Sequence, residues 1–218
     1  MLTHMNIGRT ETVPGVRTTA SPRAYVMRER AEQVEHTRRS ALVACAELAY
    51  EVPLAALTLA RVAERAGVSV QTLLRQFGSR EGLLDAAHEW GVREVLAERP
   101  ADPGDLDASF DALMTHYEAR GDGVLLLLGQ ESFEPRARLV TERGRQLHRD
   151  WVGTVFAPWL DVARDPEALW DELVVVTDVY AWKLLRRDRG MDAAWTARRM
   201  RALVDAVLAA TTPAVVHD

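Results

Sequence analysis

The stretch that decides the fold is residues 58–84, TLARVAERAGVSVQTLLRQFGSREGLL. Two short segments with apolar residues at helical spacing flank Gly67, and a hydroxyl residue precedes each segment, Thr58 or Ser69. A hydroxyl before a helix accepts a free backbone N–H, and glycine adopts the left-handed conformation that a tight turn requires. The stretch therefore predicts a helix-turn-helix whose second helix runs from Ser69 to about Phe77.

The second of these helices has an outward surface suited to a nucleic-acid groove. Val62 and Leu73 supply the apolar faces that pack together, and Ala63 is small where the helices approach. Amides, hydroxyls and guanidinium groups on the opposite side are able to read base edges in a major groove. Val70 suits packing as well as an outward position. The outward candidates are Val70, Gln71, Thr72, Arg75 and Gln76.

Over residues 38–87 the chain resembles the TetR family of bacterial regulators. Residues 41–49, ALVACAELA, are similar to the family's first helix, and residues 66–84 match its turn, recognition helix and following cap without a gap. The resemblance implies a two-fold dimer that binds a palindromic operator in double-stranded DNA. It also implies a pocket in the body of the protein whose small-molecule ligand weakens DNA affinity.

Further DNA contacts follow from position and from this resemblance. Arg80 matches the family's basic residue at the start of the fourth helix, which implies that it neutralises a phosphate. Thr58 and Arg61 begin the second helix, where phosphates meet a helix N-terminus. Arg75 suits either phosphate or guanine. The predicted DNA-binding set is Thr58, Arg61, Ser69, Val70, Gln71, Thr72, Arg75, Gln76 and Arg80.

The recognition helix departs from the family pattern at three positions. Leu74 stands where the family usually has tyrosine and cannot donate a hydrogen bond, so that phosphate anchor is lost. Gln76 stands where histidine is common and still offers a donor. Gln71 replaces a frequent glycine, and its amide is able to read adenine through two hydrogen bonds. Outside this helix, Pro53 replaces a usual glycine after the first helix.

Charge is divided unevenly along the 218 residues. Residues 1–84 hold eleven Arg and eight Glu, a net charge of +3, whereas residues 85–218 hold sixteen Lys plus Arg and twenty-four Asp plus Glu, a net charge of −8. A small basic head on an acidic body suits DNA binding, because phosphate attraction needs only a local positive surface. A solvated charge bias without a partner would give the same pattern.

The periodicity beyond residue 26 is helical throughout and predicts an all-α fold. We expect a flexible arm over residues 1–26, a helix-turn-helix domain over 27–79 and a ligand-binding and dimerisation domain over 80–218. Pro158 is expected to kink or end its helix, and Gly121-Asp122-Gly123 is predicted to be a turn. The first helix is predicted near 27–51, and body helices near 105–120, 123–133, 135–160, 166–188 and 192–210.

The body sequence also predicts a partner and a pocket. Residues 170–185 are apolar on nearly every side, which favours a homodimer through the helices near 166–188 and 192–210; the alternative is a central helix of a monomer. Aromatic and apolar side chains at helical spacing could line an apolar cavity or simply form the core. The pocket candidates are His116, Tyr117, Trp151, Val155 and Trp182.

The sequence gives little support for metal binding, catalysis or membrane insertion. The six histidines lack metal-ligand spacing and Cys45 is the one cysteine, so we expect no metal, no cofactor and no enzyme activity. No apolar run is long enough for a signal peptide or membrane span, which predicts a cytoplasmic protein without a membrane partner. We therefore expect a transcriptional repressor released by a small apolar ligand. The alternatives are a helical ligand-binding protein whose head has lost DNA binding, and an all-α enzyme assembled from distant residues.

Overall fold

The computed structural model describes residues 22–211, and over this range the chain is helical with no β-strand, as predicted. None of the helices in that range is long and apolar enough to cross a lipid bilayer. A 3₁₀ turn, Leu54–Ala56, joins the first two helices, and a π-helical turn, Leu184–Asp188, extends the ninth. In chain order the helices are α1 (Pro22–Glu51), α2 (Leu59–Ala66), α3 (Val70–Phe77), α4 (Arg80–Glu98), α5 (Leu106–Leu128), α6 (Pro135–Val155), α7 (Ala157–Leu160), α8 (Pro166–Thr177), α9 (Val179–Lys183) and α10 (Ala193–Thr211).

The chain divides into two compact units, residues 1–36 and residues 37–218. The described part of the first unit is the N-terminal half of α1, whose side chains are exposed from Val26 onward. This helix begins at Pro22, five residues before the predicted start, because proline lacks the N–H that the first helical turn leaves unpaired. The rest of the predicted arm lies outside the described residues. The domain boundaries at 26/27 and 79/80 stay predictions.

The second unit contains two clusters of buried apolar side chains. Removal of these apolar faces from water is the main force that holds the helices together. The first cluster holds together helices α1, α2, α3 and α4. It includes Ala41, Cys45, Leu48, Leu57, Val62, Leu73, Leu83 and Leu84. The second cluster joins α5 to α10 and includes Phe110, Leu113, Tyr117, Trp151, Val152, Val155, Phe156, Leu173, Trp182, Met200 and Val204.

Helix α5 runs without a break through Gly121 and Gly123, so the turn predicted there is wrong. A Cβ atom on Gly121 would lie 2.5 Å from Cζ3 of Trp182, and a Cβ atom on Gly123 would lie 2.3 Å from Cβ of Tyr50. No carbon side chain fits at such distances. The two glycines therefore permit close packing of α5 against α9 and α1, and they do not end the helix.

The predicted helices near 135–160 and 166–188 are each interrupted. The first stops at Val155, and a short helix with Pro158 in its opening turn follows, which confirms the interruption expected at that proline. The second breaks at Asp178, whose backbone is extended and whose carboxylate accepts the Tyr180 backbone N–H at 2.8 Å. The sequence did not predict this break, because the flanking residues are apolar on both sides of it.

Candidate functional site

The helix-turn-helix is set by its caps and its turn. Thr58 Oγ1 accepts the Arg61 backbone N–H at 3.3 Å, and Ser69 Oγ accepts the Thr72 backbone N–H at 3.1 Å. Gly67 adopts a left-handed conformation with φ of 67°, which a residue with a side chain rarely adopts. These local features begin α2 and α3 at the predicted residues and fix the angle between them.

One side of α3 is buried and the other faces solvent. Leu73 is fully buried, whereas Val70, Gln71 and Arg75 are exposed and Leu74 is partly exposed. Helical geometry places these last four residues on a single side, which we call the α3 face: Val70, Gln71, Leu74 and Arg75.

The α3 face differs from the predicted outward set. Leu74 belongs to it although the prediction treated this residue only as a lost anchor; its spacing of four residues from Val70 would have located it. Thr72 is half-buried, and its hydroxyl lies 2.9 Å from Ser69 Oγ. Gln76 is also half-buried, at the margin of the face.

Arg80 makes internal contacts at the start of α4. Its Nε donates to the Leu57 carbonyl oxygen at 2.7 Å, and its Nη2 donates to the Leu54 carbonyl oxygen at 2.6 Å. Its Nη1 lies 3.4 Å from the Glu81 carboxylate. The guanidinium therefore secures the connection between α1 and α2. Its predicted phosphate contact stays a prediction, because these internal bonds alone account for an arginine here.

The exposed arginines of α2 also have internal partners. Arg61 Nη1 donates to the Ala56 carbonyl oxygen at 3.2 Å, beside the N-terminus of the helix. Arg65 pairs with Glu51 at 2.6 Å and with Glu47 at 3.4 Å, which ties α2 to α1. Hydrogen bonding to Arg65 lowers the pKa of the Glu51 carboxyl. Most of the positive charge of α2 is therefore engaged within the domain.

A second candidate site is a cavity of about 220 Å³ in the residue 37–218 unit. Helices α1, α4, α5 and α6 and the junction of α8 with α9 form its walls. Pockets of this kind, apolar with a few polar groups, are typical of small-molecule sites. The apolar lining includes Ala46, Ala49, Leu84, Ala87, Val92, Val95, Val124, Leu127, Leu128, Val140, Leu147 and Val179.

Three nitrogen-bearing side chains in the cavity wall, Arg99, His116 and His148, are each more than nine-tenths buried. His116 Nδ1 lies 3.0 Å from a Glu98 carboxylate oxygen, and His148 Nε2 lies 3.1 Å from Thr177 Oγ1. Burial, reinforced by the charge of Arg99, lowers the pKa of each imidazole to about 4. Both rings are therefore neutral at pH 7.

Two other polar groups of the cavity wall are uncharged. The Tyr117 hydroxyl donates to the Thr177 carbonyl oxygen at 2.9 Å, and burial raises the pKa of this phenol. Burial also raises the pKa of the Cys45 thiol to about 12, which makes it unreactive at neutral pH. The described residues contain no group of three or more His, Cys, Asp or Glu side chains able to hold a metal ion.

Comparison with known proteins assigns the N-terminal part of the chain. Residues 41–87 match the model of a family described as bacterial regulatory proteins, tetR family. A curated relative, HTH-type transcriptional regulator BetI 1 of Chromohalobacter salexigens, is 39% identical over 67 residues, which cover 29% of this chain and 33% of the relative. The chain thus spans about a third of the curated relative that it matches.

Residues 41–87 therefore form a tetR-family domain.

Solved structures extend the similarity in fold beyond the matched residues. A transcriptional regulator from Rhodococcus sp. Rha1 superposes with a TM-score of 0.59 at 17% identity, over 79% of this chain and 96% of that one. A TetR-family regulator from a Rhodococcus species superposes with a TM-score of 0.56 at 20% identity, over 79% and 98% of the two chains. The helical body therefore shares the fold of these two solved structures.

The residues predicted to line a tetR-type pocket divide into two groups. His116 and Tyr117 lie on the cavity wall. Trp151, Val155 and Trp182 do not line it; they are buried in the second apolar cluster, where neighbouring helices fill the space around them. Arg99 and His148 line the cavity and were missed, since a cation near a helix end ordinarily points to solvent and a lone histidine carries no motif.

Proposed function

We propose that the protein is a sequence-specific DNA-binding transcriptional regulator, a repressor that is released by a small molecule with an apolar body. The observation that carries this proposal is the α3 face, which is held outward by the Ser69 cap, the Gly67 turn and the packing of Leu73. A short helix presented in this way fits the major groove of DNA. Action on chromosomal DNA would place the protein in the cytoplasm.

The chemistry of the α3 face favours particular base pairs. The Gln71 amide pairs with adenine through two hydrogen bonds, and Val70 and Leu74 offer apolar contacts to the methyl group of thymine. Arg75 reads guanine or binds phosphate. We therefore expect A·T pairs at the centre of each half-site. Thr58, Arg61, Ser69 and Arg80 would lie nearest the flanking phosphates.

A palindromic operator requires a second copy of the chain, and we propose a homodimer formed by α8, α9 and α10. Support comes from the large apolar side chains that these elements expose. Helices α8 and α10 pack against each other, and the exposed residues are Val175, Tyr180 and Leu203, together with Leu184 of the π-helical turn that extends α9.

The helices that line the cavity also support α3, which couples ligand binding to DNA binding. Cys45 and Ala49 of α1 and Leu84 and Ala87 of α4 line it, and both helices also bury side chains in the cluster that supports α3. A ligand that fits only one arrangement of these helices shifts the population toward that arrangement. We propose that the arrangement with ligand positions the α3 face poorly for the groove.

Fluorescence anisotropy with labelled DNA from the regions flanking the gene tests DNA binding. We expect salt-sensitive binding that Arg75→Ala weakens about tenfold or more, while Arg164→Ala, which removes an exposed arginine between α7 and α8, leaves it unchanged. Deletion of the gene should raise transcription of the neighbouring operon; a fall would indicate an activator. Absence of binding at low salt would favour the second candidate, a helical ligand-binding protein, which the cavity supports independently of the head.

A further inference from the structure

The cavity wall contains a buried arginine that forms no ion pair with any residue of the range 22–211. Arg99 follows α4 and is 8% exposed, and its Nε is buried without a hydrogen-bond partner. Within residues 22–211 no carboxylate forms an ion pair with its guanidinium, which lies over the Trp151 ring at 5.9 Å. Burial of an unpaired cation is costly, and such groups are normally paired or bound to a ligand.

The charge of the Glu98 carboxylate acts on Arg99, but its hydrogen bonds go to other residues. Glu98 binds Arg120, whose Nε donates to it at 2.7 and 3.0 Å, and it also accepts from His116. Hydrogen bonding to Arg120 lowers the pKa of the Glu98 carboxyl, so this carboxylate keeps its charge for that pair. His116 and His148 of the same wall carry no negative charge in either protonation state, so they do not compensate the charge of Arg99.

The wall of the cavity as a whole is positive, although the protein is acidic. It includes four arginines, Arg99, Arg136, Arg143 and Arg145, and one carboxylate, Asp178. Arg136 and Arg145 pair with Asp85 and Glu131. The Asp178 carboxylate caps α9. Burial raises the pKa of this carboxyl, and the positive charge of Arg145 opposes that rise.

We propose that the ligand of this cavity is a small organic anion, an apolar molecule that ends in a carboxylate, and that Arg99 binds the carboxylate. The apolar walls receive the body of such a molecule, and the guanidinium offers paired donors that match a carboxylate. The inference rests on the proposed function only in taking the cavity as the ligand site. It narrows the ligand class from any small apolar molecule to apolar acids.

Matched pairs of probes test this inference without DNA. The purified full chain is titrated with apolar acids and their neutral amides, beginning with 3-phenylpropanoate against 3-phenylpropanamide and octanoate against octanamide. Calorimetry and thermal shift give the affinities. We expect at least one acid to bind about tenfold or more tightly than its amide, since a charge-assisted hydrogen bond replaces a neutral one.

Variants locate the source of the preference. Arg99→Met removes the charge at similar length and should abolish the preference for the acid, whereas Arg99→Lys should retain part of it. Arg164→Met, which removes an exposed arginine that does not line the cavity, is the matched control and should keep it. Circular dichroism verifies that each variant is folded.

Amides that bind as tightly as acids would overturn the inference, as would a preference that survives Arg99→Met or an absence of acid binding across the panel. Because no DNA is present, these results are separate from a failure of DNA binding, which would instead overturn the proposed function.

Discussion

Replacement of Arg80 by alanine should destabilise the protein before it affects any phosphate contact. The substitution removes the two hydrogen bonds that the guanidinium donates to the Leu54 and Leu57 carbonyl oxygens. A hydrogen bond from a charged donor contributes about 1.5–3 kcal/mol, and the Arg80 side chain is 33% exposed, so that water replaces part of each bond. We expect a loss of about 2–3 kcal/mol in the free energy of unfolding.

Thermal and urea denaturation followed by circular dichroism measure this loss. For a chain of this length the melting temperature should fall by about 4–10 °C. Arg75→Ala, which removes an exposed side chain of the α3 face, should change stability by less than about 0.5 kcal/mol. Arg80→Lys should give an intermediate value, because an ammonium lacks the two-pronged geometry.

If Arg80→Ala unfolds at the temperature of the unaltered protein, the structural role assigned to this guanidinium is wrong. The result matters for DNA binding as well. A variant that loosens the connection between α1 and α2 lowers DNA affinity without any phosphate contact, so Arg75 is the cleaner probe of the DNA surface.

Three further predictions concern the body of the protein. Gly121→Ala should cost about 1–3 kcal/mol of stability, because the added methyl group meets the Trp182 ring; an unchanged urea midpoint would show that the close packing of α5 is mistaken. The pKa of His116 and His148, about 4 when folded against an ordinary 6.5, means that the unfolded chain binds more protons between these values. The stability that the neutral rings contribute should therefore be fully present above pH 6.5 and should fall as the pH is lowered toward 4. His148→Gln should flatten the dependence of the urea midpoint on pH. An unaltered profile would contradict the buried neutral ring. Arg99→Met should raise the stability of the ligand-free protein by about 1 kcal/mol or more, because it removes an uncompensated buried charge, and a lower melting temperature would contradict that view of Arg99.

The helix-turn-helix is predictable from sequence because short-range capping and turn interactions determine it. Thr58, Gly67 and Ser69 act within a few residues of themselves, so their cap and turn roles appear in the sequence as they do in the structure. Periodicity likewise identified Val62 and Leu73 as buried. These features require no knowledge of distant packing.

Long-range packing decides what the sequence left open. In the sequence Gly121 and Gly123 indicate a turn, because their close contacts with Trp182 and Tyr50 involve residues far away in the chain. In the sequence Arg80 indicates a surface cation, because the carbonyl groups that accept its hydrogen bonds belong to residues 23 and 26 positions earlier.

The ligand cavity shows the same limit. Helical spacing identifies which residues face inward, yet it does not tell which of them border empty space. His116 and Tyr117 border the cavity, whereas Trp151 and Trp182 fill the core.

The affinity of the full chain for its own operator tests sequence-specific DNA binding most directly. The operator is selected from random duplexes, and its dissociation constant is compared with that of a shuffled duplex of equal length and composition at one salt concentration. We expect the operator to bind about 10³-fold or more tightly than the shuffled duplex, and we expect Gln71→Ala to reduce this preference at A·T positions of the half-site. Equal affinity for the two duplexes would contradict the proposal that the α3 face reads DNA sequence.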